Sequence, residues 1–130
     1  MTMQEMAAVP VGWEGSLPEY IVYRTLQRLG LQPGIDFRYQ SPLMGGRQER
    51  GGVVIDFMFS NPPGLAINVQ GTFYHQEQGV SVVARDILAR AQLAGEGITL
   101  IFIDEDDVLS DPERYVRDAL RFIDHSALGG

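Results

Sequence analysis

The chain has 130 residues, a net charge of −7 and no cysteine. That length predicts one domain, since domains cluster at roughly 100–150 residues, and the missing thiols exclude disulfides and thiolate metal sites. All ten basic residues are arginine, which removes lysine Schiff-base and lysine-base chemistry, and the acidic balance argues against binding nucleic acid over the whole surface.

In chain order, residues 1–15 are expected to be a loosely ordered leader. Ser16-Leu17-Pro18-Glu19 spells a capping box with proline in the first turn. It predicts a helix to about Leu29, ended by Gly30, with Val22, Leu26 and Leu29 as the buried stripe and Glu19 projecting from that same stripe. Ile35–Tyr39 is a short candidate strand. Residues 41–52 form a glycine-bearing loop that carries Arg47 and Arg50.

Val53–Phe59 alternates, with Val53, Ile55, Phe57 and Phe59 on one side and Val54, Asp56 and Met58 on the other. Asn61-Pro62-Pro63-Gly64 forces a turn. Leu65, Ile67 and Val69 then make the apolar row of the next strand, opposite Ala66, Asn68 and Gln70. If Phe59 pairs with Leu65, Asp56 falls across from Asn68 and faces the same way. A loop over 71–79 carries His75. Val82–Leu93 reads as a helix, Ile98–Ile103 as a strand buried on both faces, and Asp104–Asp107 as an acidic loop. Ser110-Asp111-Pro112-Glu113 is a second capping box, opening a helix to about Ile123.

The expected fold is a single α/β domain over residues 16–125, with a short tail at 126–130. Its order is α-β-β-β-α-β-α, around a mixed central sheet flanked by helices. The helix between Val69 and Ile98 supplies the crossover that parallel neighbours need. No apolar run approaches the ~18 residues of a membrane span. The opening MTMQEMAAVP lacks the basic start and apolar core of a secretory signal, so the expected location is the cytoplasm.

Asp56 carries most of the chemical information. A carboxylate inside an apolar strand is costly unless something pairs with it. The partner is either an arginine such as Arg24 or Arg85, or a metal ion. Asn68 and Gln70 beside it are either a structural amide pair or part of a site. Glu19 either closes its capping box or reaches further, and His75 is either a surface histidine or an acid–base group. Arg47 and Arg50 are either ordinary surface charges or phosphate contacts, with glycines that let backbone approach closely.

The helix bearing Pro18-Glu19-Tyr20, the strand Val54-Ile55-Asp56-Phe57, Ala66-Ile67-Asn68-Val69-Gln70-Gly71, Tyr74-His75, Arg85-Asp86 and Gly97-Ile98-Thr99-Leu100-Ile101 together resemble the PD-(D/E)XK, or restriction-endonuclease-like, nucleases. The resemblance spans roughly Ser16 to Leu120 and is closest to the small very-short-patch-repair endonucleases. It departs at Asn68, where the wider family has an acid, and at Gln70, where it has a lysine. The very-short-patch-repair branch also lacks that pair.

The resemblance implies a DNA endonuclease dependent on Mg²⁺ or Mn²⁺, nicking or structure-selective, with a place in DNA repair. Asp56 would be the main metal ligand, the Val69 carbonyl a second, Glu19 a ligand through water, His75 an acid or base and Gln70 an orienter of water. Arg47, Arg50 and Arg85 would contact DNA. Two other expectations stand beside it: a catalytically degenerate protein on the same fold that binds nucleic acid or assembles with a partner, and a junction resolvase acting as a homodimer.

Overall fold

The computed structural model describes residues 9–40, 49–50, 53–71 and 80–126. The described elements are α1 (Leu17–Arg28), β1 (Phe37–Tyr39), β2 (Glu49–Arg50), β3 (Val53–Val54), β4 (Phe57–Phe59), β5 (Leu65–Gln70), α2 (Val80–Gly95), β6 (Thr99–Asp104), α3 (Glu105–Ser110) and α4 (Pro112–Ala119). They form the expected α/β domain. The main sheet is mixed, in the order β1-β4-β5-β6, and β2 and β3 pair as a separate two-stranded ribbon. β4 runs antiparallel to β1 and β5, while β5 and β6 are parallel, joined by the crossover through α2.

Alternation along the strands divides the core in two. Phe37, Phe57, Phe59, Leu65, Ile67, Ile101 and Ile103 meet Ile21, Val22 and Leu26 of α1, Val108 of α3 and Val116 and Ala119 of α4. On the other face Ala66, Leu100 and Phe102 meet Leu93 of α2. Each large side chain buried this way contributes roughly 1.5–3 kcal/mol. The first helix begins as its capping box predicts: Ser16 Oγ accepts from the Glu19 N–H at 3.2 Å, and Glu19 Oε2 accepts from the Ser16 N–H at 2.9 Å. The turn after β4 places Phe57 opposite Ile67 and Met58 opposite Ala66. That is the register anticipated from the Phe59–Leu65 closure. Gly64 in this turn has φ +78°, and a Cβ there would lie 3.0 Å from the Gly97 carbonyl oxygen.

Three expectations need correction. Val53–Phe59 is not one strand. It breaks at Ile55–Asp56, with β3 pairing back to β2 and β4 joining the main sheet. The break resets the alternation, so Ile55 packs with Ala66, Leu93 and Phe102 instead of sharing a side with Phe57. Glu105–Ser110 is a helix, not an acidic loop. Acidic residues in a first turn complement the helix dipole, and Val108 anchors that helix in the core. The last helix is capped by Asp111, which accepts from the Arg114 N–H, and not by a Ser110–Glu113 box, since Ser110 ends α3 and donates to the Asp107 carbonyl; it stops at Ala119, short of Ile123.

β6 is an edge strand, and the segment after α4 closes it. The Phe102 N–H donates to Asp124 Oδ2 at 2.9 Å, Arg90 Nη2 of α2 reaches the same oxygen at 3.1 Å, and the Ser126 N–H donates to Asp124 Oδ1 at 2.8 Å. The Arg90 guanidinium lies 5.0 Å from the centre of the Phe102 ring. One carboxylate therefore satisfies an edge amide and ties helix to strand. Asp124→Ala should lower unfolding stability by about 2 kcal/mol, because it strands a buried donor. Asp124→Asn, which keeps an acceptor, should cost less. Urea denaturation of the two variants measures the difference.

Candidate functional site

The break between β3 and β4 creates a site because it leaves backbone groups without ladder partners. Beyond the Phe57–Ile67 pair the two strands part, and side chains take over the hydrogen bonding. The Asp56 N–H donates to Asn68 Oδ1 at 2.7 Å, and Asn68 Nδ2 donates to the Val54 carbonyl at 2.9 Å. The Val69 N–H donates to Asp56 Oδ2 at 3.0 Å. On the other flank the Gln40 N–H donates to the Asp56 carbonyl at 3.0 Å. Asp56 is thus held through its N–H, its carbonyl and its carboxylate, and is only 3% exposed.

The Asp56 carboxylate lies in the gap between strands rather than standing on a face of the sheet. The N–H and C=O of one extended residue leave a strand on the same edge. The Val69 carbonyl therefore opens toward the same gap as the Val69 N–H that Asp56 accepts from. Gln70, 5% exposed, ends β5, and its Nε2 donates to Asp86 Oδ2 on α2 at 3.0 Å. Asp86 belongs to the site by this contact, and sequence reasoning assigned it no role.

Glu19 sits elsewhere in the hydrogen-bond network. Oε2 closes the capping box with Ser16, and Oε1 accepts from Tyr39 Oη at 3.1 Å. Tyr39 pairs with Phe57, one residue from Asp56, so Glu19 is anchored to the strand next to the site. Trp13, within the segment expected to be leader, stacks on Tyr39 at 4.6 Å between ring centres and meets Tyr20 and Tyr23 edge-on. Arg24 turns to Tyr20 Oη, at 3.5 Å, and does not pair with Asp56. His75 and Arg47 lie outside the described residues, as do the side chains of Arg50 and Arg85.

Among the described residues, no group of three or more histidine, cysteine or acidic side chains is arranged to hold a metal ion. Among the described residues, the donors that gather at the gap are oxygens, the Asp56 carboxylate and the Val69 carbonyl. That set suits a hard cation such as Mg²⁺, which keeps several waters and needs only one or two carboxylates. Among the described residues no helix is long and apolar enough to cross a membrane.

No family model and no curated protein matches the chain. Among solved structures, its fold is similar to the catalytic domain of the homing endonuclease I-Bth0305I, with a TM-score of 0.59 and 20% identity over 83% of this chain and 94% of that domain. At that identity the likeness is one of fold.

Burial, followed by the charge of Asp104, raises the Asp107 carboxyl above its ordinary value. A carboxyl with a higher pKa in the folded state holds more protons there, so stability falls as pH rises from the ordinary value through the raised one. Asp107→Asn should therefore stabilise the protein at neutral pH, by about 0.5 kcal/mol or less for a partly exposed position. The gain should vanish below about pH 3.5, where the wild-type carboxyl is protonated in both states. Melting curves across that range test this.

A neighbouring contact tests the aromatic anchor of Glu19. A Cβ on Gly15 would lie 2.0 Å from Tyr39 Oη. Gly15→Ala should displace the tyrosine and cost about 1–3 kcal/mol of stability, while Tyr39→Phe, which removes only the hydrogen bond, should cost about 1 kcal/mol. Denaturant titration of both variants ranks them.

Proposed function

We propose that the chain is a metal-dependent nuclease that cleaves DNA, with Asp56 at its centre. The observation that carries this is the buried Asp56 carboxylate, set at the opening of the sheet beside the edge of β5 that carries the Val69 carbonyl. The shared fold with a homing endonuclease catalytic domain supports it. So does the resemblance of the Asp56 strand and of the Asn68-to-His75 stretch to very-short-patch-repair endonucleases. In this proposal Asp56 and the Val69 carbonyl hold Mg²⁺ or Mn²⁺, and water links Glu19 to the ion. Bound there, the metal would lower the pKa of a water nucleophile and neutralise charge that develops on the phosphate.

The chain's own groups do the remaining work. Gln70, fixed by Asp86, presents its amide beside the metal-holding edge and orients water. It carries no charge, so turnover is slow, since losing one electrostatic group of this kind costs ~10²–10³ in rate. His75 is the proposed acid or base, and Arg47, Arg50 and Arg85 the proposed phosphate contacts. Those arginines matter in a chain of net charge −7, because a local cationic field has to overcome the general one.

A second function is favoured by a specific observation. Glu19, Asn68 and Gln70 are all engaged by hydrogen bonds within the protein. Such a site also fits a protein that has kept the nuclease fold to bind nucleic acid or to assemble.

Cleavage of supercoiled, nicked and branched DNA with Mg²⁺ and with Mn²⁺ separates the two. Asp56→Asn should abolish cleavage while leaving the melting temperature unchanged or higher, since the amide oxygen still accepts from the Val69 N–H and the buried charge is gone. Gln70→Lys, which sets a cation against Asp86, should raise the single-turnover rate. If the wild type and Gln70→Lys both leave every DNA intact in Mn²⁺, the binding or assembly function stands instead.

A further inference from the structure

Asn68 occupies the strand position where the wider nuclease family has an acid, and its geometry is that of a backbone surrogate. Its amide accepts from the Asp56 N–H at 2.7 Å and donates to the Val54 carbonyl at 2.9 Å. Those are the two bonds that the N–H and C=O of one residue on a parallel neighbouring strand would make to an extended strand. Both polar ends of the side chain are used, so Asn68 has a complete job that requires one donor and one acceptor.

We infer that Asn68 is the positioning residue of the site: it takes the place of the missing rung between β4 and β5 and thereby aims the Asp56 carboxylate at the Val69 edge. The inference rests on the proposed role of Asp56 as metal holder. Three consequences follow from the hydrogen-bond chemistry. With the Asp56 N–H fixed by the amide and the Asp56 carbonyl fixed by the Gln40 N–H at 3.0 Å, the peptide planes on either side of Asp56 cannot rotate freely. The side chain is then delivered to the Val69 N–H, at 3.0 Å. Finally, a carboxylate cannot replace the amide, because an ionised acid has no proton to offer Val54 and would set two oxygens against each other. Restoring an acid here removes a rung and gains no ligand.

Amide hydrogen exchange followed by NMR tests this without reference to activity. In the wild type, one Asn68 side-chain amide proton and the Val69 N–H should both be protected. In Asn68→Leu and in Asn68→Asp, the Val69 N–H should exchange about tenfold faster or more, while the Ile101 N–H in the β5–β6 ladder keeps its protection and reports that the fold survives. Mn²⁺ affinity, measured by electron paramagnetic resonance, should fall about tenfold or more in both variants, the loss expected when a group that orients a metal ligand is removed.

In the Asp56→Ala background, adding Asn68→Leu should change Mn²⁺ affinity no further. The inference is overturned if the wild-type Asn68 amide protons exchange as freely as those of an exposed asparagine. Unchanged Val69 protection in either folded variant overturns it too, as does tighter Mn²⁺ binding by Asn68→Asp. A wild type that binds no Mn²⁺ sinks the metal-dependent nuclease instead, and the exchange rates still decide whether Asn68 positions Asp56.

Discussion

The structure turns on a hydrogen bond between a side chain and a strand: the Val69 N–H donating to the Asp56 carboxylate. A sheet that opens in the middle of an apolar domain exposes amides that water cannot reach, and each must find a partner. Here the opening between β4 and β5 is closed by the polar side chains that flank it. The buried carboxylate, costly on its own, is stabilised because the fold supplies a donor that would otherwise be orphaned. Asp56 is met by the Gln40 N–H at the end of β1, by the Val69 N–H of β5 and by the Asn68 side chain, which also engages the Val54 carbonyl of β3.

Much of this was legible from residue order. The register across the Asn61–Gly64 turn follows from two alternating strands and a turn of known length, and it correctly puts Asp56 across from Asn68. The capping box at Ser16 marks where α1 begins, while the box read at Ser110 falls one residue early, because Asp111 caps α4 and no box forms there. The break at Ile55–Asp56 was not legible, because Val53–Phe59 holds no glycine or proline and alternates without interruption. Only the competing pairing of β3 with β2 reveals it. The Gln70–Asp86 contact was equally hidden. An aspartate four residues before an arginine on a helix has the look of a surface ion pair, yet Arg90 turns away to Asp124 and Asp86 to the sheet. The acidic run after β6 did carry a signal for helix, since acids favour a first turn and Val108 supplies an anchor, but its charge density suggested a solvated loop.

Rigidity and reactivity compete at the site. The bonds that immobilise Asp56, Asn68, Gln70 and Glu19 also occupy groups that a metal or substrate would use. An engaged site of this kind favours a single fixed geometry, and among the described residues it leaves the proposed chemistry to few atoms, the Asp56 carboxylate and the Val69 carbonyl. Such economy fits an all-oxygen, water-rich cation better than a cage of protein ligands.

The inner face of α2 has a further consequence. Asp86, Arg90 and Leu93 follow one another at the spacing of successive helical turns, and each is fastened to a different part of the protein: the end of β5, the segment that closes β6, and the apolar core. The helix is a ruler about 10 Å long between its first and last fastening. Removing or adding one residue inside that span would turn Asp86 by about 100° relative to Leu93, away from Gln70. A change in the length of α2 that keeps all three fastenings is therefore confined to its ends, and the distance between the open sheet edge and the sealed one is set by the pitch of a helix.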